Sequence, residues 1–270
     1  MELYKQISVY GSSVAYFEKN SGNTSIVFLH GNSLSSGSFS RQFDFEGFKG
    51  FRLLGIDFPG HGHSEPAINP ADHYNLFFFR DLVVETVRKL KIDNFILAGH
   101  SLGGHVAMEC LPFLQGCKGL MIWAAPPVRL PLDLGAIFLP DPSLDLLFKK
   151  ELDETEITRL AALMADEIYI PEMTGMIRQS DPDFRAFLPV SLTRQMVSDE
   201  YGLLAGSGLP VAIMHGENDR IISNSYTDQL SIPALWKKKV ILLRNASHTP
   251  QLEAAGDFNR HLLDFCLEVL

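Results

Sequence analysis

Ser101 stands in the run Gly99-His100-Ser101-Leu102-Gly103-Gly104, after the apolar stretch Phe95–Ala98 and before apolar residues that resume at helical spacing. A Gly-x-Ser-x-Gly pattern between a strand and a helix is the setting of a nucleophile elbow. The serine there sits at a sharp turn with strained backbone angles, so the residues two before and two after it must lack bulk. Gly99 and Gly103 meet that demand, and Gly104 lets the following helix lie close to the sheet. The turn aims the hydroxyl at a helix N-terminus, where free N–H groups stabilise negative charge.

A serine hydroxyl attacks well only when a base removes its proton. For a nucleophile on such an elbow, the partners follow in the chain order serine, acid, histidine. "HGENDRII" supplies Glu217 and Asp219, and "NASHTPQLE" supplies His248, each after a predicted strand. Spacing favours Asp219 over Glu217, which falls in the tight turn directly after the strand. His100 is expected to point away from its neighbour Ser101, while His105 and His261 lie within predicted helices. The developing oxyanion needs donors. The backbone N–H of Leu102 is one, and the N–H of Asn32, in the turn "HGNS" after the third strand, is the second.

Eight strands and their connections must position these groups. "QISVYGSSVAYFE" reads as a hairpin around Gly11-Ser12, followed by "SIVFLH", "FRLLGID", "NFILAG", "GLMIWAA", "PVAIMHG" and "KVILLRN". The last six are continuous Val/Ile/Leu runs, the pattern of parallel strands buried on both faces. Helical patterns such as "YNLFFFRDLVVETVRKLK" and "AGDFNRHLLDFCLEVL" separate or follow them. The fold class is therefore α/β, a mostly parallel eight-stranded sheet flanked by helices. Residues 1–126 and 210–270 are expected to form its core domain. Residues 127–209 contain amphipathic pieces and no strand pattern, so they read as a helical cap inserted between strands 6 and 7.

A net charge of −9 argues against a nucleic-acid surface, which needs clustered Lys and Arg. Lys237-Lys238-Lys239 is such a cluster, but it precedes an apolar run and reads as a solvated turn. The three cysteines form no Cys-x-x-Cys pair, as in a reducing compartment. With no signal-peptide pattern and no apolar run of membrane length, a cytoplasmic location is expected. His61-Gly62-His63 lacks the further ligands of a zinc site, so neither metal nor cofactor is expected.

Taken in order, "HGNS", "DFPGHGHS", "GHSLGG", "HGENDRI" and "NASH" resemble an α/β-hydrolase over the whole chain. The resemblance implies acyl chemistry. Ser101 attacks a carbonyl, His248 carries the proton, Asp219 holds the imidazolium, and water resolves the acyl-enzyme. "HGNS", "GLMIWAAPPV" and "ALWKKKVILLRNASHTP" are more closely similar to the serine-dependent N-acyl-homoserine lactonases of this fold. Two positions depart from that subgroup: the acid is aspartate rather than glutamate, and Leu160 stands where a cap tyrosine contacts substrate. The expected partner is a small ester or lactone with an apolar acyl part, in a pocket including Ser33, Leu34, Phe138, Leu160 and Met164. Carboxylesterase, thioesterase and acyltransferase activities are alternatives. A receptor that binds a small molecule without hydrolysing it is an alternative of another class.

Overall fold

Tyr4–Val9 (β1) and Ser12–Lys19 (β2) form an antiparallel hairpin in which Val9 faces Ser12. The structure, a computed structural model, describes residues 4–194 and 196–270. Tyr10 and Gly11 have φ of 49° and 80°, the two-residue turn that matches the right-handed strand twist. The hairpin therefore closes one residue earlier than Gly11-Ser12. Six further strands follow: Ser25–Leu29 (β3), Arg52–Ile56 (β4), Phe95–His100 (β5), Cys117–Trp123 (β6), Val211–Gly216 (β7) and Ile241–Leu243 (β8).

The sheet order is β1-β2-β4-β3-β5-β6-β7-β8, with β2 antiparallel to β4 and every later pair parallel. Every residue of β3, β5 and β7 is buried, because apolar layers cover both faces. Successive side chains alternate between those layers. Val27, Leu29, Leu97 and Ile122 join one hydrophobic cluster, while Ile26, Phe28, Ala98 and Trp123 join the other. The first cluster packs under Leu76–Lys89 (α1) and Leu102–Cys110 (α2), and the second takes the closing helix described below.

Between β6 and β7 the chain forms Glu154–Met164 (α3), Ile170–Gln179 (α4), Pro182–Thr193 (α5) and Glu200–Ser207 (α6). Asp153 and Glu156 start α3 with a reciprocal capping box. The apolar pattern over 183–204 divides into two helices, since Asp199 caps a new start by accepting from the Gly202 N–H. That last helix, α6, packs on α2 rather than on its predecessors. Contacts tie the insertion to the strand ends: the Asp181 N–H donates to the Gly60 carbonyl at 2.7 Å, and Ser247 Oγ donates to the Met164 carbonyl at 3.1 Å. The chain closes with Ala255–Val269 (α7), which buries Phe258, Leu262, Phe265 and Cys266 at helical spacing against the second cluster. No described helix is long and apolar enough to cross a membrane.

Candidate active site

Ser101 links β5 to α2 with φ 50° and ψ −116°, a strained conformation for a residue with a side chain. Its surroundings hold it there: the Ser101 N–H donates to the Trp123 carbonyl at 2.9 Å, and its own carbonyl accepts from Gly104 at 2.8 Å. A Cβ on Gly99 would lie 2.4 Å from the Gly103 carbonyl oxygen, and one on Gly103 would lie 2.2 Å from that of Leu29. A Cβ on Gly104 would meet the Ala125 Cβ at 2.4 Å. All three glycines are thus required by close approach.

The loops after β5, β7 and β8 bring three side chains into line. His248 Nε2 lies 2.9 Å from Ser101 Oγ, and His248 Nδ1 lies 2.9 Å from Asp219 Oδ2. The second oxygen of Asp219 accepts from the N–H groups of Ile221 and Ile222 at 2.8 and 3.0 Å. Burial pushes the Asp219 carboxyl up, but the charge of His248 and these hydrogen bonds outweigh it and hold the group below the usual carboxylate range. Glu217 is exposed and does not join this line. With Nδ1–H committed to a carboxylate, Nε2 is the ring atom left to receive the serine proton.

The His248 loop is held from two sides. Glu253 accepts from the Ser247 N–H at 2.8 Å, from Ser247 Oγ at 2.7 Å and from the Asp166 N–H at 2.8 Å. From the other side, His100 Nε2 donates to the His248 carbonyl at 2.8 Å while its ring stacks near Trp123. Burial pulls the His100 imidazole down to about 3, with the neighbouring His248 adding to the effect. It is a neutral donor, not a base. A Cβ on Gly31 would meet the His100 ring at 2.8 Å, so this glycine also permits a close approach.

Leu102 begins α2, where its N–H has no acceptor within the helix. In the turn after β3 the Leu34 N–H donates to the Gly31 carbonyl at 3.2 Å, leaving the Asn32 N–H without a partner among the described residues. The Asn32 side chain is fixed: Nδ2 donates to the Leu147 carbonyl at 3.2 Å and Oδ1 accepts from Ser33 Oγ at 2.8 Å. Buried Arg185 of α5 continues the chain of contacts, donating to Ser33 Oγ at 3.3 Å and to the carbonyls of Lys149 and Lys150 at 3.0 Å each.

An apolar cavity opens over Ser101 and His248. One part of its wall, Leu34, Ala124, Leu147, Met164, Ile221 and Ile222, belongs to the second hydrophobic cluster. The other part, Leu76, Leu102, Val128, Leu188 and Val197, belongs to the first, and Phe138 and Phe148 pack on both. Of the five pocket residues proposed from sequence, Leu34, Phe138 and Met164 lie along the cavity wall and Ser33 and Leu160 lie off it. Ser33 has a left-handed backbone, φ 56°, and gives its hydroxyl to Asn32. Leu160 lies one turn before Met164 on α3 and is wholly enclosed in helix packing.

His105, set aside in the sequence as a helix residue, lines the cavity and pairs through Nδ1 with Glu200 at 2.9 Å. The signal was present, since residues four apart share a helix face and His105 follows Ser101 by four. Glu200 carries no local signal. The loop "DFPGHGHS" is built inward: Asp57 accepts from the N–H groups of Ser36 and His63 at 2.7 and 2.9 Å. His61 packs on Phe184 while His63 packs on Tyr4, so the two rings do not converge. Among the described residues, no three His, Cys, Asp or Glu side chains are grouped to hold a metal ion.

The Alpha/beta hydrolase family matches residues 26–261, and the chain belongs to it. It is similar to the AB hydrolase superfamily protein YisY of Bacillus subtilis (strain 168), 24% identical over 250 residues that cover 89% of this chain and 90% of that protein. It is also similar to the bifunctional esterase/perhydrolase DCH of Acinetobacter calcoaceticus, at 25% over 260 residues, 89% of this chain and 90% of the other. Among solved structures, a mutant of the N-acyl homoserine lactonase AidH complexed with N-hexanoyl homoserine lactone superimposes with a TM-score of 0.93. It is 25% identical, over 99% of both chains. AidH complexed with N-butanoyl homoserine gives a TM-score of 0.92 and 26% identity over 97% of this chain and 95% of that one. The chain is an α/β-fold hydrolase.

Proposed function

We propose that the protein is a serine hydrolase of carboxylic esters and lactones, acting through a Ser101–His248–Asp219 triad, with N-acyl-homoserine lactones as its substrate class. The observation that carries this reading is the line Ser101 Oγ, His248 Nε2, His248 Nδ1, Asp219 Oδ2, with 2.9 Å at each contact, on the floor of an apolar cavity.

Ser101 Oγ attacks the carbonyl carbon as its proton passes to His248 Nε2, and the imidazolium is stabilised by Asp219. The backbone N–H groups of Asn32 and Leu102 receive the oxyanion. Collapse expels the alkoxide, which takes the proton from Nε2; in a lactone this alkoxide stays tethered, so the ring opens. Water then attacks the acyl-enzyme with the same proton traffic in reverse. The likeness to AidH supports lactones. A general carboxylesterase is the second reading, supported by the likeness to DCH.

A panel of N-hexanoyl homoserine lactone, p-nitrophenyl butyrate and a butyryl thioester, read by product mass, tests the proposal. Lactone opening well above the other two is expected, and Ser101→Ala should lower every rate by about 10⁴-fold or more. Equal rates in Ser101→Ala would remove Ser101 as nucleophile. Slow, comparable turnover of all three by the unaltered chain would leave the carboxylesterase reading.

A further inference from the structure

We infer that Arg185 is a positioning residue for oxyanion stabilisation: from the cap it fixes the turn that carries Asn32, through the hydroxyl of Ser33. The inference rests on the serine-hydrolase reading and adds what holds its oxyanion donor in place.

Arg185 is 4% exposed on α5, and its hydrogen bonds to the described residues all end on neutral oxygens. Nε donates to the Lys149 carbonyl and Nη2 to that of Lys150, both at 3.0 Å. Nη1 donates to Ser180 Oγ at 2.7 Å and to Ser33 Oγ at 3.3 Å. The carboxylates nearest to it in sequence are engaged elsewhere: Asp183 pairs with Lys150, and Asp181 accepts from Tyr74 Oη. Burying a guanidinium with no carboxylate partner is unfavourable, and packing alone does not call for one.

The hydrogen bonds that leave Arg185 have a direction. A guanidinium only donates, so Ser33 Oγ must accept from Nη1 and turn its own proton elsewhere. It meets Asn32 Oδ1 at 2.8 Å. That contact sets the Asn32 amide with Oδ1 toward Ser33 and leaves Nδ2 to donate to the Leu147 carbonyl at 3.2 Å. The relay from Arg185 through Ser33 to Asn32 thus runs one way, and its positive end polarises each bond along it. The turn needs such a hold, because Ser33 sits at φ 56°. The Asn32 N–H itself has no partner among the described residues, as an oxyanion donor requires.

The same two side chains close a ring with the cap. Between them Asn32 and Arg185 hold the carbonyls of Leu147, Lys149 and Lys150, and Leu147 and Phe148 line the cavity. Cap, cavity wall and oxyanion turn therefore share one hydrogen-bond network. Releasing its Arg185 end loosens the donor without removing any group that meets substrate.

Two ketones of equal length separate positioning from support. With 1,1,1-trifluorooctan-2-one, Ser101 Oγ bonds to the carbonyl carbon, its proton passes to His248, and the carbonyl oxygen becomes an oxyanion beside Asn32. Octan-2-one binds without that step. Ser33→Ala cuts the relay but leaves the cap contacts of Arg185, whereas Arg185→Met removes both. Each should raise the Ki of the trifluoroketone about tenfold, less than the roughly 10²- to 10³-fold of losing a donor outright. The Ki of octan-2-one should stay within about twofold, and kcat/KM for p-nitrophenyl butyrate should fall as the trifluoroketone Ki rises. Arg185→Lys, which keeps the charge and a donor, should recover part of the loss. The double variant should lose no more than the larger single loss, as for residues acting through one relay.

Equal weakening of both ketones would show that Arg185 only supports the fold, and would overturn the inference. Losses that multiply in the double variant would overturn it as well, since the two residues would then act separately. If Arg185→Met does not fold, an unaltered trifluoroketone Ki in Ser33→Ala is enough to overturn it. Trifluoroketone binding undiminished in Ser101→Ala would instead overturn the nucleophile assignment, which the comparison among the other variants does not report.

Discussion

His100 Nε2 donates to the backbone carbonyl of His248 across 2.8 Å, while the opposite edge of its ring rests on Gly31 of the turn that carries Asn32. The residue beside Ser101 thus spans from the His248 loop to the turn that carries Asn32. His100→Phe keeps the ring and deletes the donor. We expect kcat to fall roughly tenfold with KM little changed, since a lost buried hydrogen bond is worth about 1–3 kcal/mol. Steady-state kinetics on p-nitrophenyl butyrate, beside a melting curve, check this; an unchanged kcat in a folded variant contradicts it.

Glu253 is the second support of the His248 loop and also reaches Asp166, beyond the end of α3. Glu253→Ala leaves the Ser247 and Asp166 N–H groups without their acceptor. A loss of about 1–3 kcal/mol in stability is expected, together with a lower kcat that Glu253→Gln partly restores through its remaining acceptor. Parallel urea titrations and kinetics on the two variants decide the point.

Two glycines should respond oppositely to the same substitution. Gly103→Ala drives a Cβ to 2.2 Å from the Leu29 carbonyl oxygen, and we expect it to cost about 3 kcal/mol or more. Gly175→Ala, within α4, meets nothing within 4 Å and should add about 0.5–1 kcal/mol. Chemical denaturation of both would expose an error in either placement.

Acid should weaken the fold well before the carboxylates titrate. Burial holds His61 and His215 down to about 4 and His100 to about 3, and places buried His30 well below its ordinary value. An unfolded chain protonates these rings near pH 6.5. Between that pH and about 4 the unfolded state binds more protons, so stability falls as pH falls, by up to about 1.4 kcal/mol per pH unit for each ring. The lowered Asp219 carboxyl acts in the same direction at lower pH. Its contribution is present above the unfolded value near 3.8 and is lost as pH falls through the folded one. Urea midpoints at pH 7.5, 6 and 5 should therefore decline steadily, and a flat profile down to pH 4.5 would contradict the assignment.

The six later strands were legible because their apolar runs must satisfy two faces at once, a demand written into consecutive residues such as Phe95–Ala98, and the first two as a hairpin around a glycine. The line of Ser101, His248 and Asp219 was legible because a glycine-bounded turn and a fixed chain order narrow the choices. Pocket walls were harder to read. Leu160 and Met164 are both apolar and share one face of α3, and only the placement of neighbouring helices gives the cavity to Met164. His105 belongs to a pairing across 95 residues, so its partner Glu200 is visible only after folding. The hairpin turn moved by one residue because Tyr10, an unfavoured type at positive φ, fills a position that glycine would have announced.

The cavity lies where two hydrophobic clusters meet without merging, spanned by Phe138 and Phe148. Elsewhere the sheet separates those clusters, so an apolar guest in the cavity touches both layers at once and adds stability to the fold that binds it.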